Sequence, residues 1–270
     1  MSEYKTIHGI HVQALDTDPS NLGAGQVWYN TTSNQLKITA VSTSGAWASG
    51  GNMGTGRRNM GSAGTQTAGL GFGGTPTTNA TEHYDGSAWT GGGNMATARY
   101  QIAGAGTQTA GLGFGGSITN STEHYDGSAW TTGGNLGISV YAGGGAGTQT
   151  AGLAFGGYTS GVTNATEHYD GSAWTAGGNM GTGRYHIAGA GTQTAGLAFG
   201  GGFPISNTTE HYDGSAWTAG GNMGTGRGSL GGCGADTAGL AFGGNDYNDT
   251  VNATEEYAGP GITTQICSSS

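Results

Sequence analysis

Short runs in which larger and smaller side chains alternate, bounded by glycines and polar turn residues, dominate this chain. In Ala151-Gly152-Leu153-Ala154-Phe155-Gly156 the alternation has the two-residue period of a strand. The preceding Ala146-Gly147-Thr148-Gln149 predicts a hairpin around Gln149-Thr150. A second hairpin is predicted where Asp85-Gly86 stands between Tyr84 and Ser87, a two-residue type I′ signal because both central residues must take positive φ. That signal recurs at Asp126-Gly127, Asp170-Gly171 and Asp213-Gly214. Helix is disfavoured nearly everywhere, since each glycine in a helix interior costs about 1 kcal/mol relative to alanine.

The runs repeat as a unit. Asn-x-Thr-Glu-His-Tyr-Asp-Gly-Ser-Ala-Trp returns at Asn79–Trp89, Asn120–Trp130, Asn164–Trp174 and Asn207–Trp217, with a degraded copy over Asn252–Tyr257. A double glycine closes each module at Gly73-Gly74, Gly115-Gly116, Gly156-Gly157, Gly200-Gly201 and Gly243-Gly244. Trp47, Trp89, Trp130, Trp174 and Trp217 are 42, 41, 44 and 43 residues apart, and the loops between each double glycine and the next Asn-x-Thr hold 4, 3, 6 and 5. Subtracting the loop leaves 38 in every module, so all length variation sits in one loop, as expected of a stacked unit. Four short antiparallel strands per unit of about 42 residues, and five units, predict an all-β, five-bladed β-propeller.

The last module lacks a Trp, whereas Trp47 lacks an Asn-x-Thr-Glu partner before it. Ser44-Gly45-Ala46-Trp47 is therefore expected to supply the outer strand of the blade begun by Thr254–Tyr257, closing the ring between the two chain ends. The expected organisation is an N-terminal attachment element over 1–43 with a small β structure, the propeller over 44–262, and a tail over 263–270.

Thr166-Glu167-His168-Tyr169-Asp170 with Trp174, Met180, Arg184 and Gly200-Gly201 resembles the kelch repeat, whose hallmarks are a double glycine, a Tyr and Trp pair, and a downstream Met and Arg. The resemblance covers about residues 47–257 and implies that the Glu and Tyr are framework residues. Two departures stand out: the Tyr-to-Trp hairpin is shorter, and the third module has Leu136 and Val140 where Met and Arg would stand. In the first 43 residues, Gly25-Gln26-Val27-Trp28-Tyr29-Asn30-Thr31-Thr32 followed by Leu36-Lys37 resembles a short hairpin module of tailed-bacteriophage structural and fibre proteins. That resemblance implies a virion component made in a bacterial cytoplasm, tied to other virion proteins through its leader.

Composition narrows the function. The net charge of −9 lacks the basic stripe that nucleic acid or an anionic membrane surface requires, and no stretch approaches the roughly 20 apolar residues of a membrane span. Cys233 and Cys267 have no metal-type spacing; a bridge between them stays open, with Cys233 at the place of Ala190, a small strand position expected to be buried.

The Glu-His-Tyr-Asp cluster has the residue types of acid–base or metal chemistry, but a single catalytic site needs unlike groups converging, and these recur one per blade. A five-bladed glycosidase would need two carboxylates facing one sugar. With leader, framework and turn acids set aside, only Asp236, Asp246, Asp249 and Glu256 remain, all in the last module. No catalytic, metal or cofactor site is therefore expected; Asp246 with Asp249 is a thin signal for Ca²⁺. Asn79, Asn120, Asn164, Asn207 and Asn252 have the form of glycan acceptors but are expected to bond backbone at strand entrances.

What differs between modules points to binding. The variable loops carry Tyr158, Phe203, Ile205, Asp246 and Tyr247, and the segment after each Arg varies as Arg58-Asn59, Tyr100-Gln101, Tyr141, Tyr185-His186 and Gly228-Ser229, on a face left open. Tyr100, Tyr158, Tyr185, Phe203, Ile205, Asp246 and Tyr247 are the candidate ligand residues, because rigid aromatics give large contact area at low entropy cost. The same side chains would equally serve by packing on neighbouring blades. The expected function is a non-enzymatic binding protein that contacts a host-surface glycan or receptor, with a purely structural decoration of capsid or tail as the alternative. The chain is also compatible with a homo-oligomer.

Overall fold

The computed structural model describes residues 3–7, 10–17, 27–38, 51–202, 204–246, 250 and 252–258. The chain divides into two compact units, Met1–Ser49 and Gly50–Ser270.

The first unit holds β1 (Glu3–Ile7), β2 (Ile10–Leu15), β3 (Val27–Asn30) and β4 (Gln35–Ile38), in that sheet order. Strands β2 and β3 run parallel; the other neighbours are antiparallel. The β3–β4 hairpin runs one residue past the Gly25–Lys37 string, to Ile38, and turns through Asn34, whose φ is 53°. Asn30 Oδ1 accepts the Ser33 N–H at 2.8 Å, and Trp28 is buried in this small sheet.

The second unit is a five-bladed, all-β propeller. Blade 1 is Gly61–Thr65, Ala68–Phe72, Thr81–Tyr84 and Trp89–Gly91; blade 2 is Ala103–Thr107, Ala110–Phe114, Thr122–Tyr125 and Trp130–Thr132. Blade 3 is Gly144–Gly147, Gly152–Phe155, Thr166–Tyr169 and Trp174–Ala176, and blade 4 is Ala188–Thr192, Ala195–Phe199, Thr209–Tyr212 and Trp217–Ala219. Blade 5 shows three strands among the described residues, Gly231–Ala235, Ala238–Phe242 and Thr254–Ala258. Strands pair antiparallel in sequence order within every blade.

The core lies between blades rather than within them. Leu70, Phe72, Met95, Ile102 and Tyr125 fill the seam between blades 1 and 2, and equivalent clusters fill the next three seams. Glycine sets the spacing: a Cβ on Gly111 would stand 2.6 Å from Leu70 Cδ2, and one on Gly152 2.7 Å from Leu112 Cδ2. Nearer the axis, a Cβ on Gly145 would meet Gly104 O at 2.8 Å, and one on Gly189 would meet Gly145 O at 2.7 Å.

The three seams between blades 1 and 4 repeat one set of polar contacts, of which the seam between blades 4 and 5 keeps, among the described residues, only the pair of His211 Nε2 with the Tyr257 hydroxyl at 2.6 Å. The indole N–H of Trp130, Trp174 and Trp217 donates to Thr81, Thr122 and Thr166 Oγ1 at 2.9 Å, while the rings stand against Phe72, Phe114 and Phe155. Gln108, Gln149 and Gln193 each donate to two carbonyls of the preceding blade, at 2.7–3.0 Å. Tyr125, Tyr169 and Tyr212 meet His83, His124 and His168 Nε2 at 2.7 Å. The Tyr169 hydroxyl also accepts the Gly134 N–H at 3.3 Å. Among the described residues this set is not repeated between blades 5 and 1, where Gln66 is exposed. The closing segment Ser44–Trp47 lies outside the described residues.

Inside blades 1, 2, 4 and 5 an arginine from the incoming connection is buried, and in blade 3 Val140 takes its place. Arg99 donates through Nη1 to Gly115 O and Ser121 O at 2.8 Å, and through Nη2 to Glu123 Oε1 at 2.7 Å. Arg57, Arg184 and Arg227 repeat this with Glu82, Glu210 and Glu255. The predicted strand-entrance role of asparagine is met: Asn79, Asn120, Asn164 and Asn207 Nδ2 donate to Met95, Leu136, Met180 and Met223 O at 2.9–3.0 Å.

Two expectations are corrected. The Asp-Gly turns are not type I′, because only the glycine has positive φ. Asp85 Oδ1 instead accepts the N–H groups of Ser87 and Ala88 and the Ser87 hydroxyl, each at 2.8 Å, making a four-residue loop; these bonds hold the carboxyl below its ordinary pKa. Cys233 pairs with Leu240 as Ala190 pairs with Leu197, but it is a free, exposed thiol rather than a buried one, since among the described residues no blade covers that strand as its counterparts are covered. Cys267 lies outside the described residues.

Two outcomes follow from these contacts. Replacing Arg99 with Met strands a buried carboxylate and two carbonyls, so urea unfolding should show a loss of about 3–5 kcal/mol. Burial lowers the pKa of His83, His124 and His168, so the folded state favours neutral imidazole. Their contribution is complete above the unfolded value of about 6.5 and is lost as pH falls through the lowered folded values. Melting temperatures across pH 4.5–8 should decline only on the acid side, and less steeply in His124→Gln.

Candidate functional site

The topology settles which face carries the variable residues. Within a blade the first and third connections are tight hairpins, at Gln66-Thr67 and at Asp85–Ala88 in blade 1, and both lie on one face. The variable loop and the segment after the Arg are the other two connections and meet on the opposite face. Isolated bridges join them: Arg58 with Thr75, Tyr141 with Tyr158, Tyr185 with Gly202, and Gly228 with Asn245.

Around the axis this face forms a collar. Asn59, Gln101, Ala142, His186 and Ser229 occupy equivalent places, each with φ of 52–55°. The N–H groups of Gln101, Ala142, His186 and Ser229 donate to the carbonyl of the preceding collar residue at 2.7–2.9 Å. The positive φ turns each chain inward before its innermost strand begins. The collar frames a cavity of about 290 Å³ that Met60, Ile102, Ile187 and Leu230 also line. Its size is at the lower end of small-molecule sites, about 300–1,000 Å³.

The collar side chains are uncharged. Gln101 Nε2 lies 3.3 Å from His186 Nε2, although the two residues are 85 positions apart. Burial holds the His186 imidazole below its ordinary pKa, so the Gln101 amide donates to an unprotonated ring nitrogen. Outside the collar runs an aromatic ladder: Tyr141 to Tyr158 at 5.4 Å, Tyr158 to Tyr185 at 5.5 Å, and Tyr185 to His186 at 4.8 Å between ring centroids. Burial raises the Tyr185 phenol pKa, and the neighbouring Tyr141 and Tyr158 add to the shift.

Of the residues expected from sequence, Tyr158 and Tyr185 are brought together in this ladder. Tyr100 takes the equivalent place in blade 2 and is exposed, and Ile205 is half-buried with its Cγ2 beside Gly226 of the segment that precedes Arg227. Asp246 lies on the blade 5 loop, while Phe203 and Tyr247 lie outside the described residues. Ile118 and Val162, exposed by 62% and 41%, add apolar tips on the same face. The sequence identified the post-Arg segments as variable but missed the collar, because only the topology brings five such segments to one axis. The remaining acids do not gather: Asp236 is at the hairpin face, Asp246 at the loop face, and Glu256 mid-strand opposite Leu240. Asp249 lies outside the described residues. Among the described residues no three His, Cys, Asp or Glu side chains form a metal-binding group.

No family model matches the chain, and no curated protein matches it. The arrangement can stack planar or polyhydroxyl surfaces on the tyrosines and exchange neutral hydrogen bonds at the collar. His186 should remain neutral to the acid side of its ordinary pKa; an NMR titration following its ring nitrogens checks this, with Gln101→Ala as the comparison.

Proposed function

We propose that this chain is a non-enzymatic binding protein of a phage virion, attached through its N-terminal element and recognising a host-surface glycan or receptor with the loop face of the propeller. The observation that carries the reading is the segregation of the sequence. Repeated residues build the seams, and residues that differ between blades gather on one face, around one uncharged cavity and a tyrosine ladder. Similar blades carrying unlike loops suit multivalent attachment, in which several weak contacts combine. The kelch resemblance of the module and the fibre-protein resemblance of the Gly25–Lys37 hairpin supply the setting.

The reading predicts saturable binding of the purified chain to whole bacterial cells or their isolated surface polysaccharides. Tyr158→Ala and Tyr185→Ala should each weaken it by at least tenfold, the loss of an aromatic anchor worth more than about 1.4 kcal/mol, while leaving the melting temperature nearly unchanged. Binding to virion proteins alone, unaffected by either substitution, would instead identify a structural decoration. Turnover of an oligosaccharide that is lost in Asp246→Asn or Glu256→Gln would identify a hydrolase.

A further inference from the structure

In four blades the incoming arginine fills one polar socket, made by the carbonyl of the first glycine of the double glycine, the carbonyl just before the third strand's Thr-Glu, and the Glu carboxylate. Blade 3 keeps the socket and lacks the arginine. Val140 stands at the place of Arg99, and its N–H and carbonyl make the same backbone bonds, to Thr119 O at 3.2 Å and from Gly116 N–H at 2.8 Å. The backbone therefore follows the same path, and only the side chain differs.

The acceptors remain. Glu167 is 8% exposed, and its Oε2 accepts the Gly137 N–H at 2.7 Å, as Glu123 Oε2 accepts Ala96 N–H. Its Oε1, which in Glu123 meets Arg99, has no hydrogen-bond partner among the described residues, and neither has Gly156 O. Ala165 O accepts Gly156 N–H, as Ser121 O accepts Gly115 N–H while also receiving Arg99. Where the guanidinium would lie there is a cavity of about 20 Å³, lined by Val140, Glu167, Gly156 and Ala165 and walled by Phe114 and Leu136. That volume admits one particle the size of a water molecule.

We propose that blade 3 binds a monovalent cation of about water's size, K⁺ or NH₄⁺, in place of the missing guanidinium. The charge favours it: Glu167 is more than nine-tenths buried, and each of the other four framework glutamates meets an arginine. The donors are all hard oxygens, one ionised and two carbonyl, which suit a weakly charged alkali-type ion. The single carboxylate balances one positive charge and would leave the second charge of a divalent ion such as Ca²⁺ uncompensated in a largely apolar wall. The proposal is independent of what the loop face binds.

The test is thermal unfolding of the full chain in KCl and in choline chloride at equal ionic strength, since choline is too large for the cavity. K⁺ should raise the wild-type melting temperature by roughly 2–4 °C over choline, the shift of about one unit of linkage stabilisation in a domain this size. Glu167→Gln, which removes the charge and keeps the shape, should abolish the difference. Val140→Arg, which restores the guanidinium, should melt higher than wild type in choline and be indifferent to K⁺. Equal wild-type melting in both salts, or a K⁺ increment that survives in Glu167→Gln, overturns the proposal and leaves a water-filled cavity only. Should Val140→Arg fail to fold, the Glu167→Gln comparison decides alone.

Discussion

A leucine of one blade packs into the space above a glycine of the next, and this contact sets how closely every pair of neighbouring blades can approach. With a methyl group on Gly111 the Leu70 side chain would have to withdraw from the seam. Glycine 104 plays the same part nearer the axis, where the carbonyl of Ser62 stands 2.4 Å from the position its Cβ would take. The small apolar fraction of the chain is thus sufficient because the blades are thin: close approach gives each Leu, Phe and Trp two walls of contact. Polar side chains complete the seams because the short strands leave their flanking carbonyls to be satisfied by Gln and Arg.

Much of this was legible in the sequence, because the repeat preserves spacing and spacing fixes topology. The strand count, the blade count and the asparagine contacts at the strand entrances all follow from the period. The Asp85-Gly86 dipeptide alone does not distinguish a two-residue turn from a loop in which the carboxylate caps the amides of Ser87 and Ala88. At Cys233 the repeat gives the register, but exposure depends on what covers the strand, and a repeat says nothing of how its end copy differs from the middle ones.

The binding face was legible only in its parts. Tyr158 lies in a variable loop and Tyr185 in a post-Arg segment, and no local signal places them 5.5 Å apart. Gln101 and His186 meet across the axis only because both positions take the same left-handed backbone conformation at the same place in their modules. Val140 shows the reverse case. Its departure from the repeat is visible in the sequence, yet its meaning depends on three acceptors contributed by Gly156, Ala165 and Glu167, which stay in place when the donor does not.

The near identity of the blades carries a kinetic hazard. Ala110–Phe114 and Ala68–Phe72 have the same sequence, Ala-Gly-Leu-Gly-Phe, and Thr-Glu-His-Tyr recurs unchanged in four modules, so a strand can pair with the wrong module at little local energetic penalty. Discrimination during folding then falls to chain connectivity: the correct partner is a few residues away, whereas a wrong one requires closing a loop of about 40 residues or more. The short hairpins give each blade a local route to its own strands before its neighbours emerge from the ribosome. Refolding from denaturant offers no such order, and it exposes all five modules to one another at once, the condition under which repeat proteins become trapped in misassembled states.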